Sequence, residues 1–162
     1  MSRYTKSILH GLMVLAAVVQ VLFAPALADD KASSKYQVET IIEDLNVPWG
    51  MVQLSDSIFL VTERSGQMYQ VDIESGQRKQ VSGLPAITSR NQGGLLDIEL
   101  HPDYNNNGWI YFSFASSEGD GEGGNTSIMR AKIKNDSLVD KEILYKAVPN
   151  TTKGQHFGSR IV

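Results

Sequence analysis

The chain has 162 residues, 41% apolar and 20% charged, a globular balance that excludes a disordered or fibrous protein and suffices for one domain with a core. The formal charge is −3. A mildly acidic chain lacks the basic stripe that nucleic acid or an anionic membrane would select. With no cysteine, disulfides, thiolate chemistry and Cys-ligated zinc are excluded together.

Arg3 and Lys6 open the chain, and an apolar run from Leu12 to Phe23 follows, broken only by Gln20. Pro25 then precedes Ala26-Leu27-Ala28, a small-x-small pattern. These features predict a signal peptide over 1–28, cut after Ala28, and a short linker over 29–35. The run is about a dozen residues, shorter than the ~20 of a membrane-spanning helix. A signal anchor is the competing reading. Cleavage leaves 13 basic and 18 acidic residues, a charge of −5. The expected location is outside the cytoplasm, periplasmic or secreted. Lack of cysteine leans toward a bacterial periplasm and leaves no site for a lipid anchor. No second long apolar stretch follows, so no membrane anchor is expected after cleavage.

Beyond the leader, strand signals dominate. Residues 36–43 alternate weakly. Residues 57–63 (SIFLVTE) form a β-rich run, Ser65-Gly66 reads as a turn, and 67–73 (QMYQVDI) alternate. Ser75-Gly76 is another turn, and Gly83-Leu84-Pro85 opens a loop reaching Gly93-Gly94. Strands follow at 95–100, 109–114 and 127–133, the last two separated by the loop SEGDGEGG over 117–124. A weak internal repeat relates 50–63 to 97–114, with Leu54 and Leu100 46 residues apart, and Gly158–Val162 reads as the first strand of a third copy. A period near ~45–50 residues with about four strands per copy predicts an all-β partial propeller of four-stranded antiparallel sheets, about two and a half blades over 36–162. A β-sandwich is the structural alternative. Two and a half blades do not close a ring, so a fragment with unpaired edges, poorly stable by itself, is expected.

Several residues invite a chemical reading. Asp103-Tyr-Asn105-Asn-Asn107-Gly108 matches the first half of a calcium loop, but Phe114 stands where the closing Glu belongs. It reads as a turn, and no metal ligand is assigned within the chain. His101 sits in the turn Leu-His-Pro-Asp. His156 lies in a polar, glycine-containing loop entering a strand, and imidazole is the commonest general base. Asn91-Gln92-Gly93-Gly94 is a polar loop suited to presenting an amide. Asn-x-Ser/Thr sequons stand at Asn125, Asn135 and Asn150, read as chance matches in a bacterial protein.

The segments Val47-Pro-Trp-Gly50, Leu60-Val-Thr-Glu-Arg64-x-Gly66, Gly83-Leu-Pro85, Gln92-Gly-Gly-Leu-Leu-Asp97, Leu100-His-Pro-Asp103 and His156-Phe-Gly-Ser-Arg160 occur in this order. Together, from about Val38 to Val162, they resemble the N-terminal part of the soluble glucose/sorbosone dehydrogenase family, the pyrroloquinoline-quinone (PQQ)-dependent aldose sugar dehydrogenases. The resemblance implies an exported six-bladed propeller that binds PQQ and calcium on one face. It implies oxidation of the anomeric C1 hydroxyl of aldose sugars to lactones, with electrons passed to an acceptor. His156 falls on the family's catalytic base. Gln92 falls on a polar residue of the substrate and cofactor pocket, and Gln155, before the base, is expected near the sugar. Most quinone contacts and the calcium loops of the family pattern lie beyond Val162, so this stretch alone is expected to be inactive. The rival readings are a propeller lactonase, for which Asp97 and Asp103 are too few carboxylates, and a non-enzymatic binding propeller.

Overall fold

Short β-branched and aromatic runs punctuated by turn residues leave the chain one economical way to satisfy its backbone, antiparallel pairing of neighbours in sequence. A computed structural model describes residues 36–162; the expected leader and linker lie outside the described residues. Strands β1 (Pro48–Gln53), β2 (Ile58–Glu63), β3 (Gln67–Asp72) and β4 (Gln77–Gln80) form one sheet in that order. Strands β5 (Leu95–Leu100), β6 (Ile110–Ser116), β7 (Asn125–Lys134) and β8 (Ser137–Lys146) form a second. Every neighbouring pair is antiparallel. These are two successive four-stranded blades, the partial propeller that the repeat predicts.

The turns carry the conformations their residues permit. Asn135 and Asp136 both have positive φ (51° and 57°), the pattern of a tight hairpin turn between β7 and β8. Asp72 caps the β3–β4 turn, its Oδ1 accepting Glu74 N–H at 2.9 Å and Ser75 N–H at 3.3 Å. The Asp103–Gly108 stretch is one helical turn, α1 (Tyr104–Asn107), closed by Gly108 at φ 70°. Its candidate metal oxygens are used locally: Asp103 Oδ1 accepts from Asn106 Nδ2, and Asn107 Oδ1 from Trp109 N–H.

One core lies between the sheets. Leu60, Met68 and Val81 from the first sheet meet Leu95, Ile98, Ile110, Phe112, Phe114, Met129 and Ala131 from the second. The largest buried side chains are Phe112 and Phe114. Leu54 and Leu100 both pack against this core. The structural repeat is one residue off their sequence alignment. The β1 bulge between Pro48 and Met51 matches the β5 bulge between Leu95 and Ile98, which sets Gln53 against Leu100 and Leu54 against His101. Leu54 and Leu100 reach the same core from facing sheets, and a one-residue shift in register exchanges faces.

Three sequence expectations change. Residues 36–43, which alternate weakly, form no strand among the described residues. Strands β4 and β8, which the sequence reading did not mark, exist through pairing alone; β4 is Gln-Arg-Lys-Gln and exposed throughout. Gly158–Val162, read as the opening strand of a third copy, belongs to no ladder among the described residues, and the count there is two blades. The segment nonetheless lies against β5. Ile161 N–H donates to Asp97 Oδ2 at 2.6 Å, and Asp97 N–H donates to Ser159 Oγ at 3.2 Å.

Candidate active site

Antiparallel order sorts the connections onto two ends. The β2–β3 turn (64–66), the 87–94 part of the loop after β4, the 117–124 loop and the 147–157 segment share one end. The β1–β2 and β3–β4 turns, α1 and the β7–β8 turn share the other. Gln92, Gln155 and His156 therefore stand at one end, and His101 at the opposite one. His101 is held in its own turn: its Nδ1 accepts Asp103 N–H at 2.9 Å and lies 2.8 Å from Asn107 Nδ2. The ring stacks on Tyr111 at 6.0 Å between centroids.

The structure brings Gln92 and His156 together across 64 residues. Gln92 Oε1 accepts the backbone N–H of His156 at 2.9 Å, and Gln92 N–H donates to Gly154 O at 3.2 Å. Gln155, His156 and Gln92 are all exposed. Both sides of the junction are anchored in packed structure. Phe157 is buried with Leu96 and Ala115, and its carbonyl accepts from Thr126 Oγ1 at 2.8 Å. On the other side, Gly93 and Gly94 leave no room for a side chain. A Cβ at Gly93 would lie 2.9 Å from Ala115 Cβ, and one at Gly94 would collide with the Arg64 carbonyl. The glycines let the loop sink onto the sheet, so Gln92 projects from a fixed base.

Backbone strain collects here. His156 (φ 62°), Asn91 (φ 53°) and Ser159 (φ 124°) are non-glycine residues at positive φ. Such conformations persist where surroundings over-determine them, and they cluster at functional sites. Sequence reasoning missed the supports. Arg64 Nη1 donates to Asn91 O, and a side chain at Gly154 would meet Asn91 Nδ2 at 2.6 Å. Asp97, nearly buried, pairs with Arg160 at 3.5 Å and holds the residues that follow His156. Side-chain-to-backbone bonds over such separations leave no local signature; the Gly-Gly pair after Gln92 was the one available hint.

A glucose/sorbosone dehydrogenase family model matches residues 45–162. The chain belongs to this family. It is 30% identical over 134 residues to the aldose sugar dehydrogenase YliI of Escherichia coli (strain K12), a match covering 81% of this chain and 36% of that protein. The crystal structure of the soluble aldose sugar dehydrogenase from Escherichia coli in its apo form superposes with a TM-score of 0.71 at 29% identity, over 76% of this chain and 36% of that one. The PQQ-bound aldose sugar dehydrogenase of Streptomyces coelicolor superposes with a TM-score of 0.60 at 26% identity, over 69% and 34%. The chain spans about a third of the length of the first curated relatives it matches.

The residues at this end suit part of what such proteins hold. Arg90 and Lys153 lie within two residues of Gln92 and Gln155 in sequence, and Arg64 Nη1 donates to the carbonyl of Asn91, so cations and amides both occur in these segments. The recess beside the turn, lined by Thr88, Arg90, Thr151 and Phe157 among others, holds about 50 Å³. A ligand pocket typically needs ~300 Å³ or more, so this recess by itself is too small to enclose a ligand. Among the described residues no group of three acidic, His or Cys side chains could hold a metal ion, and no residue is assigned to calcium. No helix among them is long and apolar enough to cross a membrane.

Proposed function

We propose that the chain provides the base-bearing wall of a PQQ-dependent aldose dehydrogenase, an oxidoreductase that converts the anomeric C1 hydroxyl of a sugar to a lactone. The observation that carries this reading is the junction of His156 with Gln92 at one end of both blades. In it, the His156 imidazole takes the proton of the C1 hydroxyl, the task for which histidine is the commonest general base. Gln92 keeps its Nε2 donors for sugar or cofactor oxygens, because its Oε1 is already engaged. Gln155, next to the base and exposed, offers a second amide to the sugar. When bound, PQQ supplies the hydride acceptor, and an external acceptor later removes the electrons. Arg64, Arg90 and Lys153 lie at the same end, placed to draw in an anionic cofactor. The leader expected over 1–28 fits an exported, periplasmic or secreted protein.

The test is aldose-dependent dye reduction by a full-length dehydrogenase that carries this stretch together with the remaining blades, loaded with quinone and calcium. His156→Ala should lower turnover by roughly 10²–10⁴-fold, the usual contribution of a positioned base, with quinone binding far less affected. Near-normal turnover of His156→Ala at saturating sugar would place the base elsewhere.

A further inference from the structure

The contact between Gln92 and His156 does more than place two polar groups near one another. The Gln92 side-chain oxygen takes the backbone N–H of His156, the position a strand neighbour's carbonyl would fill in a continuous ladder. Its orientation follows from chemistry, since a peptide N–H meets the oxygen of an amide and not its NH₂. The bond acts on a residue that needs holding. His156 sits at φ 62°, a region that L-residues enter at a cost, and the direction of its imidazole depends on that backbone angle. The neighbouring bond from Gln92 N–H to Gly154 O makes a two-point clamp on the turn. Behind Gln92 the backbone cannot yield, because Gly93 and Gly94 are packed against Ala115, Phe157 and Arg64.

We propose that Gln92 is a positioning residue: through Oε1 it fixes the His156 peptide in the left-handed conformation and so aims the imidazole, independently of any contact its Nε2 makes with substrate. The inference rests on the reading of His156 as the base. Two substitutions separate the roles. Gln92→Ala removes acceptor and donors, whereas Gln92→Glu keeps acceptor oxygens and removes donors. Amide hydrogen exchange of the full chain, followed by NMR, reports the clamp without cofactor. The His156 amide should exchange roughly 3- to 10-fold faster in Gln92→Ala, the loss of one solvent-accessible hydrogen bond, and within about twofold of the parent in Gln92→Glu. Amides of β5–β8 should be unchanged in both, showing that the sheet is intact. In the quinone-loaded protein, kcat on the plateau of the pH profile should fall in Gln92→Ala and be substantially recovered in Gln92→Glu, where the loss moves to KM. The plateau matters because an added carboxylate raises the imidazole pKa. Unchanged His156 exchange in Gln92→Ala would overturn the proposal. So would equal kcat in both variants with only KM raised, the signature of a plain sugar ligand. If instead His156→Ala retains turnover while the exchange pattern holds, the reading of His156 as base fails and the clamp on the turn stands.

Discussion

In each sheet a hydroxyl on the second strand serves the bulged first strand, but the two blades direct it to different neighbours. In the first, Thr62 Oγ1 accepts Gly50 N–H at 2.9 Å and donates to Leu96 O at 2.6 Å, fully buried. In the second, Ser113 Oγ accepts Asp97 N–H at 3.2 Å and meets Ser159 Oγ. The first joint ties one blade to the next. The second ties the next blade to the segment carrying His156. Their inner residues differ accordingly. Gly50 permits close approach, since a Cβ there would lie 3.1 Å from Leu96 O and Ile98 N. Asp97 instead extends a carboxylate that catches Ile161 and Arg160. A repeated scaffold thus makes a closed joint at one step and a functional latch at the following one.

The outer faces differ as well. On the first sheet, Trp49, Met51, Phe59, Val61, Val71 and Ile73 line an apolar groove of about 510 Å³, roofed in part by Ile41, Ile42 and Leu45. On the second, one ladder row reads Glu99, Tyr111, Arg130, Glu142. Arg130 bonds Glu142 at 2.6 Å, which raises the guanidinium pKa further, and stacks with Lys132 against Trp109. The same four-strand plan therefore accepts opposite surface chemistries, because a ladder constrains backbone and leaves each face to its neighbour.

The comparison can be broken at three strengths. The shared core comes first: Phe112→Ala, at a fully buried site between both sheets, should cost about 3–5 kcal/mol in denaturant unfolding. A loss under about 1 kcal/mol would mean that the blades do not share one core. Next is the joint. Thr62→Val leaves Gly50 N–H and Leu96 O buried without a partner and should cost about 2–4 kcal/mol. Ser113→Ala should cost about 1 kcal/mol, because Asp97 N–H keeps Ser159 Oγ. Equal losses would remove the distinction between closed joint and latch. The smallest effect concerns the β3–β4 turn. Backbone N–H bonds from Glu74, joined by the Ser75 hydroxyl and N–H, lower the Asp72 pKa from its ordinary value. A folded-state pKa below the unfolded one gives stability that is present at neutral pH and lost as pH falls through the lowered value. Asp72→Asn should remove that part of the acid limb in a pH series of unfolding midpoints, and an unchanged limb would contradict it.

By itself the sequence determined the class of fold and the chemistry on offer. The alternation in 67–73 and the short β-rich runs 57–63 and 109–114 mark strands, and Ser-Gly and Gly-rich breaks place their turns. The family was legible in the six ordered motifs, which drew attention to His156 and Gln92. Tertiary structure alone decided the rest. The polar β4 and the largely exposed β8 become strands because a neighbour offers a ladder, whereas 158–162 joins no ladder among the described residues. The one-residue shift in the repeat appeared only when the β-bulges were seen. The bond from Gln92 to the His156 peptide, like the Asp97 latch, joins residues more than sixty positions apart. Local propensity carries no information about such contacts, which exist because the packed sheets bring distant loops to one end and leave their polar groups to satisfy each other.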